Sequence, residues 1–172
     1  FPGSYFGAGS YFQSLYQTGD SIAVIFQAPE ACDITGMTVY CRSLQGTSPY
    51  YKFQLQGVDS SGDPDGSNLA ETAEFQVAVG DEAHAFTSAY TCSQGQILCG
   101  RMVYSSGTIS ASHYAAITYA TTHVKYNIFP YAMHWNGSAW TGVNSYYPTP
   151  ALQTDITGVD FGGAYNRTNT SR

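Results

Sequence analysis

The chain has 172 residues, of which 43% are hydrophobic and 10% charged, and it carries a formal net charge of −6. That length supports one good core or two small ones, and six Lys and Arg against twelve Asp and Glu leave no basic patch to hold phosphates, which argues against a nucleic-acid partner. No run of about 18 apolar residues is present to span a membrane.

The usual charged share is roughly 25%, so this surface must be built from Ser, Thr, Gln, Asn, Gly and Tyr. Such a surface suits a protein held in an assembly or exposed to the outside better than a free cytosolic enzyme. Fifteen Tyr, nine Phe and two Trp favour strands and give rigid, amphipathic contact area. The sequence begins at Phe1 without Met or a charged-then-apolar leader, which fits a processed product or a piece of a longer chain.

In chain order, residues 1–19 are rich in Gly, Ser, Tyr and Phe and have no clear period. They read as an aromatic extension or interface arm. Tyr11 to Gln17 is the best helix candidate, long enough for one turn. Ser21 to Phe26 reads as a strand, and Ile34 to Cys41 as another with Met37, Val39 and Cys41 on one face. Tyr51 to Val58 alternates clearly, with Tyr51, Phe53 and Leu55 opposite Lys52, Gln54 and Gln56. Phe75, Val77 and Val79 make a further face. Gln96 to Tyr104, Tyr114 to Tyr119 and Val124 to Ile128 follow. Alternation of this kind buries one face and wets the other. Asn136-Gly137 predicts a two-residue hairpin turn between arms Tyr131 to Trp135 and Ser138 to Val143. The fold expected is all-β, an antiparallel, jelly-roll-like β-sandwich over residues 20–161, followed by a polar tail at 162–172. Its core should include Ile22, Val24, Phe26, Met37, Val39, Phe53, Leu55, Phe75, Val77, Leu98 and Tyr126.

Residues with chemical potential are sparse. Cys32, Cys41, Cys92 and Cys99 allow three disulfide pairings, or they are small core residues. No C-x-x-C suggests a zinc ribbon or redox motif. Asp59, Asp63 and Asp65 fall within seven positions, and close carboxylates on a tight turn can ligate Ca²⁺. The spacing is not that of an EF-hand, and Asp, Gly and Pro form plain turns by their own backbone chemistry. Apart from that ion, no cofactor is expected. His84, His113, His123 and His134 form no metal-ligand spacing, and no G-x-S-x-G elbow or phosphate loop is present, so an enzyme is not expected. Tyr131, Trp135, Trp140, Tyr146 and Tyr147 are the candidate recognition set. Aromatic faces stack on sugar rings, and they equally fill cores and interfaces. Asn136, Asn166 and Asn169 begin glycosylation sequons.

The segments TGDSIAVIFQAP, CDITGMTVYCRS, YYKFQLQGVDSSGDPDGSNLAE, GQILCGRMVYSSG and WNGSAW, in that order, resemble the β-sandwich modules of bacteriophage tail fibres, virion appendages and large bacterial surface proteins. The likeness covers about residues 20 to 142 and rests on strand order and the D-x-x-G-x-P-x-G turn at Asp59–Gly66. It implies a non-enzymatic structural or receptor-binding module on a virion, cell surface or other extracellular assembly, self-associating as a homo-oligomer and taking host surface glycans. The four cysteines depart from that pattern and leave a cellular, secreted origin open. The alternative is a carbohydrate-binding module attached to a secreted enzyme.

Overall fold

A computed structural model describes residues 12–28, 31–120, 132–136, 140–142, 147–148 and 151–154. The strands in chain order are β1 (Phe12–Leu15), β2 (Asp20–Gln27), β3 (Cys32–Gln45), β4 (Tyr50–Gln56), β5 (Ala70–Glu71), β6 (Phe75–Gln76), β7 (Gly80–Cys92), β8 (Ile97–Ser106), β9 (Tyr114–Ala120), β10 (Ala132–Asn136), β11 (Trp140–Gly142), β12 (Tyr147–Pro148) and β13 (Ala151–Thr154). No helix occurs among the described residues, so none there is long and apolar enough to cross a membrane.

The strands form two antiparallel sheets packed face to face, a β-sandwich. One sheet runs β1-β9-β3-β13, with β7 also on β3 and β12 on β9. The other runs β11-β10-β2-β8-β4-β5, with β6 also on β4. The pairings nest along the chain: β4 with β5, β3 with β7 outside it, β2 with β8 outside that. This is the winding of an antiparallel ribbon folded across two layers, the jelly-roll-like arrangement. Between β2 and β3, and between β7 and β8, the ribbon turns from one sheet into the other.

The core lies between the sheets, where the alternation places it. Tyr51, Phe53 and Leu55 of β4 point inward with Ile22 and Phe26 of β2, Leu98 and Met102 of β8, and Met37, Val39 and Cys41 of β3. The expected core residues within the described segments are all buried; Tyr126 lies outside them. Tyr51 sits in this apolar layer because its hydroxyl has partners: it donates to the Leu15 carbonyl at 3.3 Å and accepts from the Ala115 N–H at 3.2 Å. A smaller cluster of Ala23, Ile25 and Cys99 lies on the other face of the second sheet, with Val58 packed on it.

Several expectations are corrected. Phe12 to Leu15 is not a helical turn but an edge strand pairing with β9, and Leu15 is buried. Residues 12–15 therefore belong to the sandwich, and residues 1–11 lie outside the described segments. Val79 does not continue the Phe75–Val77 face: it is 61% exposed, in the turn that enters β7, where the Ala78 N–H donates to Glu82 Oε1. The strand β7 had no counterpart in the sequence reading. The hairpin register pairs Trp135 with Trp140 and β10 continues through Asn136, so Asn136-Gly137 is not a two-residue turn between Trp135 and Ser138. Gly46 follows β3 with φ 62°, and a Cβ there would collide with the Ser112 carbonyl, so the β3 exit and the β8–β9 turn pack backbone to backbone. Residues 124–128 and the 162–172 tail lie outside the described segments.

Candidate recognition face and acidic turn

The acidic segment is built as a turn. Asp59 Oδ1 accepts from the N–H groups of Ser61 (2.8 Å) and Asp63 (3.0 Å), while the Asp59 carbonyl accepts from Gly62 N–H. This is the local side-chain-to-backbone bonding that makes Asp a turn former. Gly62, at φ 88°, supplies the left-handed residue. Asp65 Oδ1 accepts from the Ser67 N–H at 2.7 Å and the Ser67 hydroxyl at 2.6 Å, and Ser67 Oγ in turn accepts from Gly57 N–H. Two of the three carboxylates thus bond their own loop. No group of three His, Cys, Asp or Glu positioned to hold a metal ion occurs among the described residues, so Asp59, Asp63 and Asp65 do not converge as a donor set.

The aromatic set is split. Trp135 of β10 and Trp140 of β11 are direct partners, which puts both positions on one face at the edge of the second sheet. Tyr147 belongs to β12, which pairs with β9 of the other sheet. Tyr131 and Tyr146 lie outside the described residues. The register carries the tryptophan row across the sheet: Trp140, Trp135, Ser21, Val103, Lys52. The next row on the same face is Gly142, Met133, Ala23, Arg101, Gln54, Glu71. The alternation of β4 marks Lys52, Gln54 and Gln56 as a polar face. It cannot place Arg101 beside them, because that needs the β4–β8 register.

The polar groups of this face are linked. Arg101 Nε donates to Ser21 Oγ at 3.0 Å, and burial lowers the guanidinium pKa from its ordinary value. Gln56 Nε2 donates to Gln54 Oε1 (3.1 Å), and Gln54 Nε2 donates to Glu71 Oε2 (3.4 Å). The Asn68 amide holds the Glu71 carboxyl below the usual carboxylate range, aided by Gln54 and by Lys52, whose ammonium stands 3.4 Å away. Ser21, Ala23, Ile25 and Cys99 on this face are buried, so its centre is covered, and its accessible polar part lies toward β4 and β5. Gln56, 2% exposed, carries the one buried side-chain oxygen without a hydrogen-bond partner among the described residues.

Of the histidines, His84 faces inward. Its ring stacks on Phe75 at 3.7 Å and 15°, and its Nε2 lies 3.0 Å from Glu82 Oε2. His113 touches the hydroxyls of Ser110 and Ser112 within its own turn. His123 lies outside the described residues, and His134 is a backbone position in β10 opposite Ile22. No protein-family model matches the chain, and no curated protein shows significant similarity to it.

Proposed function

We propose that the chain is a non-catalytic structural and recognition module of a virion appendage or cell-surface assembly, and that it takes surface saccharides on the β10–β11 hairpin. The observation that supports this reading is the register pair Trp135–Trp140 at the edge of a charge-poor sandwich. Tryptophan is the residue type that stacks best on the apolar faces of sugar rings, and the register sets two of them at directly paired positions. Lys52, Gln54 and Glu71, on the accessible side of the same sheet toward β4 and β5, offer further donors and acceptors for hydroxyls.

These are the chain's two tryptophans, so tryptophan emission reports on this hairpin alone. Titration against a panel of neutral and acidic oligosaccharides should change that emission saturably for at least one of them. Trp140→Ala and Trp135→Ala should each weaken binding about tenfold or more, the loss of roughly 1.4 kcal/mol. Binding that survives both substitutions, or no binding across the panel by emission and calorimetry, refutes the reading. The module also works as a closed homo-oligomer or lattice, because 10% charged residues keep copies apart poorly and large apolar patches are rarely left bare. Light scattering that finds a monomer at millimolar concentration contradicts that part.

A further inference from the structure

The four cysteines occupy three different environments. Cys41 lies inward on β3, and its thiol donates to the Ser43 carbonyl at 3.4 Å. Cys99 belongs to the cluster on the opposite side of the second sheet, with Ala23 and Ile25. A sheet therefore separates these two, and neither can reach the other without unfolding. Cys32 and Cys92 are direct partners across β3 and β7, and their Sγ atoms stand 3.6 Å apart. Directly opposed residues of an antiparallel pair have Cα atoms about 4.5 or 5.5 Å apart, and both values fall in the range a disulfide spans. Closing the remaining gap calls for rotation about the two Cα–Cβ bonds.

The position of this pair has a structural meaning. Cys32 opens β3 just after the chain leaves β2, and Cys92 ends β7 just before the chain enters β8. The end of β2 and the connection into β8 meet at Ala28, Gly95 and Gln96. Gly95 N–H donates to the Ala28 carbonyl at 2.7 Å, Ala28 N–H donates to the Gln96 carbonyl at 2.9 Å, and the Gln27 side-chain amide donates to the Gly95 carbonyl. The thiol pair thus sits at the corner where the folded ribbon passes from one sheet to the other, between the Gln27–Ile97 and Ile34–Tyr90 pairs.

We propose that Cys32 and Cys92 form a disulfide that clamps this corner when the protein matures in an oxidising compartment, while Cys41 and Cys99 remain thiols. The oxidant is a small disulfide such as oxidised glutathione. Cys32, the more exposed residue at 7% against 1% for Cys92, loses its thiol proton and attacks one glutathione sulfur, giving a mixed disulfide and one reduced glutathione. The Cys92 thiolate then attacks the Cys32 sulfur and displaces the second glutathione. Two protein thiols lose two electrons and two protons, and one glutathione disulfide becomes two thiols. The closed bond is then shielded by the same burial, which resists its reduction.

The test equilibrates the intact protein with oxidised and with reduced glutathione. After oxidation, titration in denaturant should find two thiols instead of four, intact mass should fall by two hydrogens, and peptide mapping should join the peptides holding Cys32 and Cys92. The melting temperature should rise by roughly 10 °C on oxidation, as expected for closing a loop of this length. Cys32→Ser and Cys92→Ser should each abolish that shift, and Cys41→Ser and Cys99→Ser should keep it. Four remaining thiols, a glutathione adduct that never resolves, or a bridge mapped to Cys41 or Cys99 overturns the proposal. The thiol count and the mapping are made on the unmodified chain, so they decide the matter even where a serine variant fails to fold.

Discussion

Strands β2 and β7 belong to the same sandwich, yet their burial patterns differ completely. Every residue of β2 from Asp20 to Phe26 is buried, whereas β7 alternates between half-buried and exposed positions through most of its length. The cause is placement. β2 lies between β10 and β8 and is covered on its second face too, so a continuous apolar run suits it. In the first half of β7 the inward positions are Glu82, His84 and Phe86. His84 fills its place by laying its ring on Phe75 and turning a nitrogen to Glu82. Polar side chains thus serve as inner-face residues where a neighbouring ring and a carboxylate receive them.

If the layer of β2, β8 and β4 is packed hydrocarbon, its aromatic anchor should dominate stability. Phe53 is fully buried, with its ring 4.7 Å from that of Phe75. Phe53→Ala should therefore cost about 3–5 kcal/mol in a urea melt; a loss below about 1 kcal/mol would mean that the face yields freely. The junction between the two regions should come next. Buried Thr72 accepts the Phe53 N–H at 3.0 Å through its hydroxyl and forms a bridge to Phe86 of β7. Thr72→Val keeps the shape and removes that acceptor, so it should cost roughly 2 kcal/mol, and Thr72→Ser should restore most of it.

The interior thiols give a pH test of the same contrast. Burial pushes Cys99 up to about 12 and Cys41 up to about 11, from a starting value of 9.0. A raised thiol pKa means that the folded chain keeps a proton the unfolded chain has lost. Stability is then full below about pH 9 and falls toward pH 11 by about 1.4 kcal/mol per pH unit for each thiol. Urea midpoints measured at increasing pH should show that slope, and Cys99→Ala should make it shallower. An unchanged slope would place the Cys99 thiol in contact with water. At the β7 edge, His84→Ala should cost only about 1 kcal/mol, the value of one stacked ring pair. A loss comparable to that of Phe53→Ala would mean that the edge is core after all. The acidic turn lies outside both regions and should respond least: Asp59→Ala should cost about 1 kcal/mol or less, equally with and without Ca²⁺. A calcium-dependent difference would give that loop an ion.

The contrast also explains what the sequence disclosed. The strands β2, β3, β4 and β8 were legible because apolar residues recur at every second position or in an unbroken run, as in Tyr51, Phe53 and Leu55. The strand β7 was invisible because Asp81, Glu82 and His84 open it and no apolar face precedes Phe86. Phe12 to Leu15 was hidden by the glycines on either side, and only its partner β9 gives it strand conformation. Asn136-Gly137 marks a hairpin between the two tryptophans, but their register depends on the length of the hairpin connection. For the cysteines, spacing leaves three pairings open, and only the β3–β7 register sets Cys32 opposite Cys92. Long-range register is the information that local pattern lacks.

The nested winding has a consequence for how the chain acquires its structure. Leu55–Ala70 lies inside Cys41–Gly80, which lies inside Cys32–Cys92, Gln27–Ile97, Ser21–Val103 and finally Leu15–Ala115. Each outer pair closes a long loop if it forms alone, and a short one if the pair inside it is already made. The chain should therefore zip outward from the β4–β5 turn, slowly, as topologies rich in distant contacts do. Truncations at Leu55 and Ala70 should then slow refolding, while truncations at Leu15 and Ile117 should chiefly hasten unfolding. The reverse order in stopped-flow measurements would mean that the outer pairs form first.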